Sequence, residues 1–382
     1  MVKGYISFQE DKIPFVIDNY QMELFSDNDL VNDFCKHYNF KQNYVLHGQY
    51  HFSGTQAQNA TFLVNYSLGT TCYLYGYIID MIGSTGEYDS IGFQSPFLDD
   101  VFRYKYKYLD MVKDGINLGV EQIEVYKIPF SMNRRESELS YRIGQNYRMG
   151  LLEDFDKKGE SILPMRTGEI QECYDLSVVL HRLAMFMTSH KTVPFKQIIL
   201  YKDGLKRGWF YCPFVSEKAA SAGDMFYYEF DVMKYIPKIL NNIAMDSGNQ
   251  IAKSVPLGHL GDLNDQFLPK RFTEQIMAFE YLFEKLDHKR AQDRHFPLKD
   301  ELQSMLDRFP ALWSYSHKTS ETISEEIKEL RRKLTHGYQY YYNFDSNLQA
   351  KRLMLLLDQL IQKMSLLLSG FSEEEIENYP II

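Results

Sequence analysis

Short runs of aromatic and β-branched residues dominate the first 170 or so residues of the chain. Polar clusters such as SDND and GSTGEYDS separate six such runs: GYISF, YQMELF, NYVLHGQYHF, ATFLVNYSL, TCYLYGYIIDMI and IEVYKIPFSM. Runs of this length between turn-forming residues are typical of β-strands. Their spacing predicts an antiparallel sandwich or a curved sheet.

The hydrophobic period changes at about residue 171. A helix is predicted by apolar positions that share one face: Leu176, Val179, Leu180, Leu183 and Met187. Three strand-like runs, QIILY, WFYCPF and MFYYEFDV, and a short helical run, YIPKILNNIAM, follow. We assign this stretch to the same β-rich N-terminal domain, residues 1–250.

A segment rich in Gly, Asn and Ser predicts a linker at residues 251–264. Four amphipathic patterns follow, with these apolar positions: Phe272, Ile276, Phe279, Phe283 and Leu286; Leu298, Leu302, Met305 and Phe309; Ile323, Ile327, Leu330 and Leu334; Leu353, Leu356, Leu360, Met364 and Leu367. Their short connections predict an antiparallel four-helix bundle over residues 265–382. The acidic segment FSEEEIENY is expected to form a short, solvated final turn.

The expected fold class is therefore α+β, with a β-rich N-terminal domain followed by an all-α four-helix bundle. A chain of 382 residues is long enough for two domains. Four cysteines without CxxC spacing argue against a disulfide scaffold or a cysteine-based zinc site. The N-terminus lacks the apolar core of a signal peptide, and no run is long enough to cross a membrane. We expect a cytoplasmic protein with no membrane partner.

The formal net charge of −9 argues against an extended basic surface that binds nucleic acid electrostatically. Any contact with RNA is then expected to come from a local group of cations. Arg331, Arg332 and Lys333 form such a group near the end of the third helical pattern.

Arg331 and His336 close that third pattern, in the segment ELRRKLTHGYQYYYNF. Arg331 falls beside the apolar stripe, and Gly337 is suited to stop the helix. Histidine acts as an acid or a base near neutral pH, and arginine donates paired hydrogen bonds to phosphate. Because the ribose 2′-hydroxyl of RNA is an internal nucleophile, such a pair can cleave RNA without a metal or another cofactor.

The R-x4-H spacing alone is not specific. A second copy, Arg290 to His295, falls in a connection that we interpret as a solvated charged turn. A structural interpretation of the first copy also stays open, because Arg331 and Arg332 favour the negative end of a helix dipole. The GxxxxGK[ST], GxGxxG and GxSxG motifs do not occur, so NTP hydrolysis, dinucleotide binding and α/β-hydrolase chemistry lack their usual markers.

The segments DQFLPKRFTEQIMAFEYLFEKL and EEIKELRRKLTHGY resemble a HEPN domain. In that family an Arg-polar-x3-His motif closes the third helix, and the residues from Arg331 to His336 fit it. Arg332 occupies a position that is more commonly Asn, Asp or His. The whole chain also resembles ApeA-type proteins, in which a β-rich N-terminal domain precedes the HEPN domain. GYISF near the start and AFEYL on the first C-terminal helix are part of this resemblance.

The resemblance implies a metal-independent endoribonuclease that defends bacteria against phage by abortive infection. His336 would transfer protons, Arg331 would hold the phosphate, and cleavage would leave 2′,3′-cyclic phosphate ends. Glu280 matches an acidic position on the first helix and would orient Arg331 or His336. HEPN domains usually pair about a two-fold axis, so a homo-oligomer is implied. No cofactor is implied.

Other residues and partners follow from the same resemblance. Arg332 and Lys333 would support the site. Tyr338 and Tyr340 either stack on RNA bases or pack a turn against the bundle. The substrate would be RNA, with tRNA as one candidate, and the N-terminal domain would sense or regulate, in response to a phage-derived trigger.

Two other functions stay open. In the first, the helices serve only as a dimerisation scaffold and the β-rich domain binds a ligand or a protein, so Arg331 and His336 would be replaceable. In the second, the chain is the toxin of a toxin–antitoxin pair. Its long N-terminal domain counts against that second possibility, because such toxins are usually little more than the bundle.

Overall fold

The computed structural model describes residues 2–25, 28–38, 41–51, 57–81, 86–103, 122–132, 135–145, 157–188, 193–216, 235–246, 269–287, 296–335 and 344–377. Contacts divide the chain into two units. The first comprises residues 1–129, 137–181 and 193–223, and the second comprises residues 130–136, 182–192 and 224–382. The predicted linker, residues 251–264, and the run MFYYEFDV lie outside the described residues.

The described strands form one sheet, and each pair of strands whose register is described is antiparallel. They are β1 (Val2–Phe8), β2 (Asp11–Asp18), β3 (Gln21–Leu24), β4 (Gln42–Tyr50), β5 (Gln58–Leu68), β6 (Thr71–Asp80), β7 (Ser90–Gln94), β8 (Gln122–Met132), β9 (Arg135–Gln145), β10 (Lys157–Pro164), β11 (Gln197–Lys202) and β12 (Leu205–Tyr211). The strand order is β3-β2-β1-β4-β5-β6-β12-β11-β7-β10-β9-β8. Each of the six aromatic runs of the first 170 residues overlaps a strand.

The first six strands close into a barrel, because β3 pairs with β6 as well as with β2. On the edge of β6 opposite to β5, residues 71–73 pair with β3 and residues 77–80 pair with β12. Gly76 lies at this change of partner, where a Cβ atom would stand 2.5 Å from the carbonyl oxygen of Tyr211 and 2.7 Å from the ring of Phe210. The close approach of backbone explains a glycine inside this strand. The sheet continues from the barrel through β6 into the other six strands.

Helix α1 (Asn28–Tyr38) completes the core of the barrel. Buried apolar side chains from all six strands form one cluster with Val31 and Phe34 of this helix. The ring of Phe34 meets that of Phe8 edge-on, with 5.3 Å between centroids. The hydrophobic pattern does not predict α1, because the polar SDND segment at its start has the composition of a turn.

Three carboxylates of the first unit accept hydrogen bonds from tyrosine hydroxyls: Asp80 from Tyr88, Asp99 from Tyr141 and Glu160 from Tyr201. Glu160 is 5% exposed, and each of its oxygens lies 2.8 Å from the hydroxyl. Gly92 on the neighbouring strand provides the space, since a Cβ atom there would stand 2.5 Å from Oε1 of Glu160. Burial raises the pKa of Glu160, although the hydrogen bond from Tyr201 opposes the shift.

Glu160→Gln is expected to remove a pH-dependent part of the unfolding free energy. Because folding raises the pKa of Glu160, the folded protein holds a proton that the unfolded chain releases between the ordinary glutamate pKa and the raised one. Stability therefore falls as the pH rises through that window. Glutamine accepts the same hydrogen bond without ionising, so the variant should gain stability relative to wild type as the pH rises.

Urea unfolding from about pH 4 to about pH 8 measures this difference. Glu138→Gln, which changes an exposed glutamate of the same sheet, is the control. If the stability of Glu160→Gln follows the pH in parallel with wild type, the prediction is wrong.

The other helices of the described chain are α2 (Pro96–Arg103), α3 (Glu172–Thr188), α4 (Ile236–Met245), α5 (Pro269–Leu286), α6 (Leu298–Arg308), α7 (Ser320–Thr335), α8 (Phe344–Leu368) and α9 (Glu373–Glu377). Helices α5 to α8 coincide with the four predicted helical patterns. In the second unit α5 packs mainly against α8, α6 packs mainly against α7, and α5 also contacts α7. The chain is thus β-rich in its N-terminal part and helical in its C-terminal part. No helix in the described part is long and apolar enough to cross a membrane.

The C-terminal segment is attached to helix α4 within the second unit. Lys238 of α4 donates a hydrogen bond to Glu375 at 2.8 Å, and its ammonium lies 4.4 Å from the ring centroid of Phe371. Phe371 and Ile376 are buried, so the prediction of a solvated final turn is wrong. Burial of these two apolar side chains holds the segment in place. Contacts therefore group α4 with the C-terminal helices, which differs from the predicted division at the linker.

Candidate functional site

Helix α7 positions Arg331. The hydroxyl of Thr319 caps the first turn by accepting a hydrogen bond from the backbone N–H of Thr322 at 3.1 Å. The apolar stripe is buried at three successive positions: Ile323, Ile327 and Leu330. Arg331 lies at the flank of this stripe, and its side chain is 40% exposed. The arginine is thus held at the edge between the buried face of the helix and solvent.

Arg331 forms an ion pair with Glu280 of helix α5. Its Nη2 atom lies 3.1 Å from Oε1 of Glu280, and the glutamate side chain is 19% exposed. The contact between helices α5 and α7 brings these two residues together across a long separation in sequence. A mostly enclosed carboxylate limits the orientations of the planar guanidinium with which it pairs.

The other two cations of the group differ from Arg331. Arg332 donates from Nε and Nη2 to Oε2 of Glu329, at 3.1 Å and 2.7 Å, and this partner lies one turn earlier on the same helix. Lys333 is exposed. An exposed pair such as Arg332 with Glu329 adds little to stability. Arg331 is thus paired with a residue of another helix, and Arg332 is paired with a residue of its own helix.

Four residues of the predicted site and its flank lie outside the described residues: His336, Gly337, Tyr338 and Tyr340. The competing pair, Arg290 and His295, also lies outside them. His336 directly follows Thr335, the last described residue of α7, in the sequence. The geometry of the candidate site is therefore given by Arg331, Glu280 and the neighbouring cations.

Arg331, Arg332 and Lys333 form a small group of cations on an acidic protein. A guanidinium stays protonated at all physiological pH values and donates in a fixed plane, which suits phosphate oxygens. Solvent reaches Arg331, because its side chain is 40% exposed. Arg332 and Lys333 add positive charge beside it. The arrangement can hold a phosphate at the end of α7.

A second polar cluster lies on helix α5, and the sequence pattern does not predict it. Arg271 donates to Oδ2 of Asp358 on α8 at 2.5 Å, and Gln275 donates to Oδ1 of Asp358 at 2.5 Å and to the carbonyl oxygen of Met354 at 3.2 Å. The side chains of Arg271 and Asp358 are 8% and 3% exposed. Burial raises the pKa of Asp358, and both donors oppose that shift. We call Arg271, Gln275 and Asp358 the buried cluster.

A signal for the buried cluster is present in the sequence. Asp358 interrupts the apolar run LMLLLDQLIQKM. A carboxylate in such a run faces the core of a bundle, where it requires a donor from a neighbouring helix. The sequence does not identify that donor, because helix pairing is not visible in it.

Comparisons with known proteins return no match for this chain. No protein-family model matches it, and no curated protein or solved structure is detectably similar to it. Within the described residues, no group of three or more His, Cys, Asp or Glu side chains is placed to hold a metal ion. Function therefore has to be inferred from the residues and their contacts.

Proposed function

We propose that the protein is an endoribonuclease of the HEPN type that cleaves RNA with Arg331 and His336 and needs no metal. The observation that carries this proposal is the ion pair between Arg331 and Glu280, at 3.1 Å. A mostly enclosed glutamate of another helix contacts the guanidinium, while the arginine side chain stays 40% exposed to solvent. A side chain that is both oriented by a neighbour and open to solvent is available to bind a ligand.

The helical part of the chain supports the same proposal. Helices α5 to α8 follow one another along the chain, and α5 and α7 contact each other. Arg331 lies on the third of these helices, four residues before Thr335, where its described part ends. The HEPN motif would place the histidine at the next position, His336. We propose that the four helices form a HEPN-type bundle, in which α5 supplies Glu280 and α7 supplies the Arg-x4-His motif.

The proposed reaction is an attack of the ribose 2′-oxygen on the adjacent phosphorus. His336 accepts the proton of the 2′-hydroxyl as the bond from the 2′-oxygen to phosphorus forms. The bond from phosphorus to the 5′-oxygen breaks, and that oxygen takes up a proton from water, while His336 later releases its proton to solvent. Arg331 donates hydrogen bonds to the phosphate oxygens, on which negative charge accumulates. The products carry a 2′,3′-cyclic phosphate and a 5′-hydroxyl.

The remaining roles are part of the proposal. Glu280 orients Arg331, and Arg332 and Lys333 attract the RNA backbone. Tyr338 and Tyr340 stack on bases beside the cleaved bond. The protein acts in the cytoplasm as a homo-oligomer in defence against phage, with tRNA as one candidate substrate. Its β-rich N-terminal part responds to a phage-derived trigger and restrains the nuclease.

The direct test is to incubate the purified protein with total cellular RNA in the presence of EDTA. Cleavage is expected, with 2′,3′-cyclic phosphate at the new 3′ ends, because neither the nucleophile nor the acid–base group depends on a metal. End labelling with and without removal of the cyclic phosphate identifies the ends. Cleavage that EDTA abolishes, or ends with a 3′-hydroxyl, would show that the mechanism is wrong.

If the purified protein does not cleave RNA in this assay, two explanations are possible, and a second assay distinguishes them. If expression in bacteria slows growth and degrades RNA, a trigger is missing in the purified sample. If the protein is also harmless in cells that are exposed to phage, the scaffold function is correct and the nuclease proposal fails.

A further inference from the structure

The buried cluster and Glu280 lie on opposite flanks of one helix. Arg271 and Gln275 are one turn apart on α5, and Glu280 lies roughly 160° around the helix axis from the midpoint of that pair. The arc between the two flanks is occupied by three fully buried aromatic rings: Phe272, Phe279 and Phe283. Helix α5 thus holds Asp358 of α8 with one flank and Arg331 of α7 with the other.

The aromatic arc by itself does not determine the rotation of α5. Apolar burial is non-directional, so packings of this arc at neighbouring rotations of the helix can bury similar apolar areas. A rotation of about 20° moves a side-chain tip at a radius of roughly 6 Å by about 2 Å. Such a movement would open the 3.1 Å contact between Glu280 and Arg331 beyond hydrogen-bonding distance.

The hydrogen bonds of the buried cluster depend on direction, whereas the apolar contacts of the aromatic rings do not. Arg271 and Gln275 donate to different oxygens of Asp358, and Gln275 also donates to the backbone of α8, so three hydrogen bonds fix both rotation and register. A buried ion pair is a poor source of stability, because removing two charges from water offsets most of their attraction. We expect the ion pair instead to favour one packing of α5 on α8 over packings that differ from it by a small rotation or shift.

We propose that Arg271, Gln275 and Asp358 are positioning residues, which fix the rotation of α5 against α8 and thereby hold Glu280 against Arg331. This inference rests on the proposed function for its effect on catalysis. It adds three buried residues, none of which touches the substrate, to the set that determines the activity of the site.

The test replaces the whole cluster with apolar residues of similar size in one variant, Arg271→Met, Gln275→Leu and Asp358→Leu. Its thermal midpoint is expected to stay at or above that of wild type, because no buried charge is left without a partner. Its kcat on RNA is expected to fall about 100-fold with little change in KM, which is typical of a displacement of about 1 Å at a reacting group. The control variant, Arg308→Met with Glu373→Leu, removes an ion pair in which α5 and α7 take no part, and it should cleave RNA like wild type.

Retention of kcat within about twofold in the folded apolar variant would overturn the inference. If that variant does not fold, Arg271→Lys decides, because lysine keeps the charge and loses the planar geometry of the guanidinium. An unchanged kcat in the Arg271→Lys variant would also overturn the inference.

A separate measurement distinguishes failure of this inference from failure of the proposed function. Thermal midpoints of Glu280→Ala, Arg331→Ala and the double variant give the coupling between the two side chains, without any need for RNA. The coupling is expected in the wild-type background and should vanish in the apolar-cluster background. If wild type does not cleave RNA but this loss of coupling is seen, the positioning role stands and the nuclease proposal fails. If the coupling is equal in both backgrounds, the positioning role is wrong.

Discussion

Replacing His336 with alanine is expected to lower the rate of RNA cleavage by about 10²–10⁴-fold, because the 2′-hydroxyl would lose its proton acceptor. Arg331→Ala is expected to lower it by about 10²–10³-fold, since the charge that develops on the phosphate would lose its donor. Single-turnover rates in EDTA, with protein in excess over a labelled RNA, measure these losses without interference from product release. Circular dichroism should show that both variants keep the fold of wild type.

His295→Ala is the matched control, because Arg290 and His295 have the same spacing as Arg331 and His336. This variant should cleave RNA at the wild-type rate. If His295→Ala is the inactive protein and His336→Ala is active, the nuclease function survives but the assignment of the motif is wrong. If all three variants cleave equally, neither pair is catalytic.

Asp358→Ala is expected to lower the free energy of unfolding by about 3–5 kcal/mol, because it leaves the guanidinium of Arg271 buried without its carboxylate. The two side chains are 8% and 3% exposed, so water does not readily replace the lost partner. Urea unfolding followed by circular dichroism measures the change. This large loss contrasts with the unchanged or higher stability expected when all three residues of the buried cluster are made apolar together.

Glu321→Ala is the control for this second prediction. Glu321 on α7 also pairs with a residue of another helix, Lys299 of α6, but its side chain is 64% exposed. Loss of such a pair should cost at most about 1 kcal/mol. A similar cost for Asp358→Ala and Glu321→Ala would mean that water reaches Arg271 in the variant and that the site is less enclosed than the structure indicates.

Local patterns in the sequence predict the strands and helices well, but they do not predict contacts between distant parts of the chain. Strands β5 and β6 follow from their aromatic and β-branched runs, and helix α7 follows from the spacing of Ile323, Ile327 and Leu330. Closure of the barrel does not follow, because it depends on pairing between β3 and a distant part of β6. The burial of Phe371 and Ile376 is not predicted for the same reason, because the C-terminal segment packs against a helix far away in the chain.

The candidate site shows the same limit. Helical spacing predicts that Arg331 lies beside the apolar stripe, and its choice as a site residue comes from the Arg-x4-His motif and the resemblance to HEPN domains. Glu280 enters only through the resemblance to HEPN domains, and its role stays a prediction, although the structure places it in contact with Arg331. Asp358 could be recognised as a polar residue in an apolar run, but its donors, Arg271 and Gln275, are defined only by the packing of α5 against α8.

The attachment of helix α4 to the C-terminal segment limits how this protein can be divided. A fragment cut at the predicted boundary, residues 265–382, would lack Lys238 and the apolar side of α4, and it would expose Phe371 to water. Such a fragment is expected to aggregate or to lose its last turn, whatever the state of its four long helices. For transplantation into another protein, or for study in isolation, the helical part has to be taken from before Tyr235.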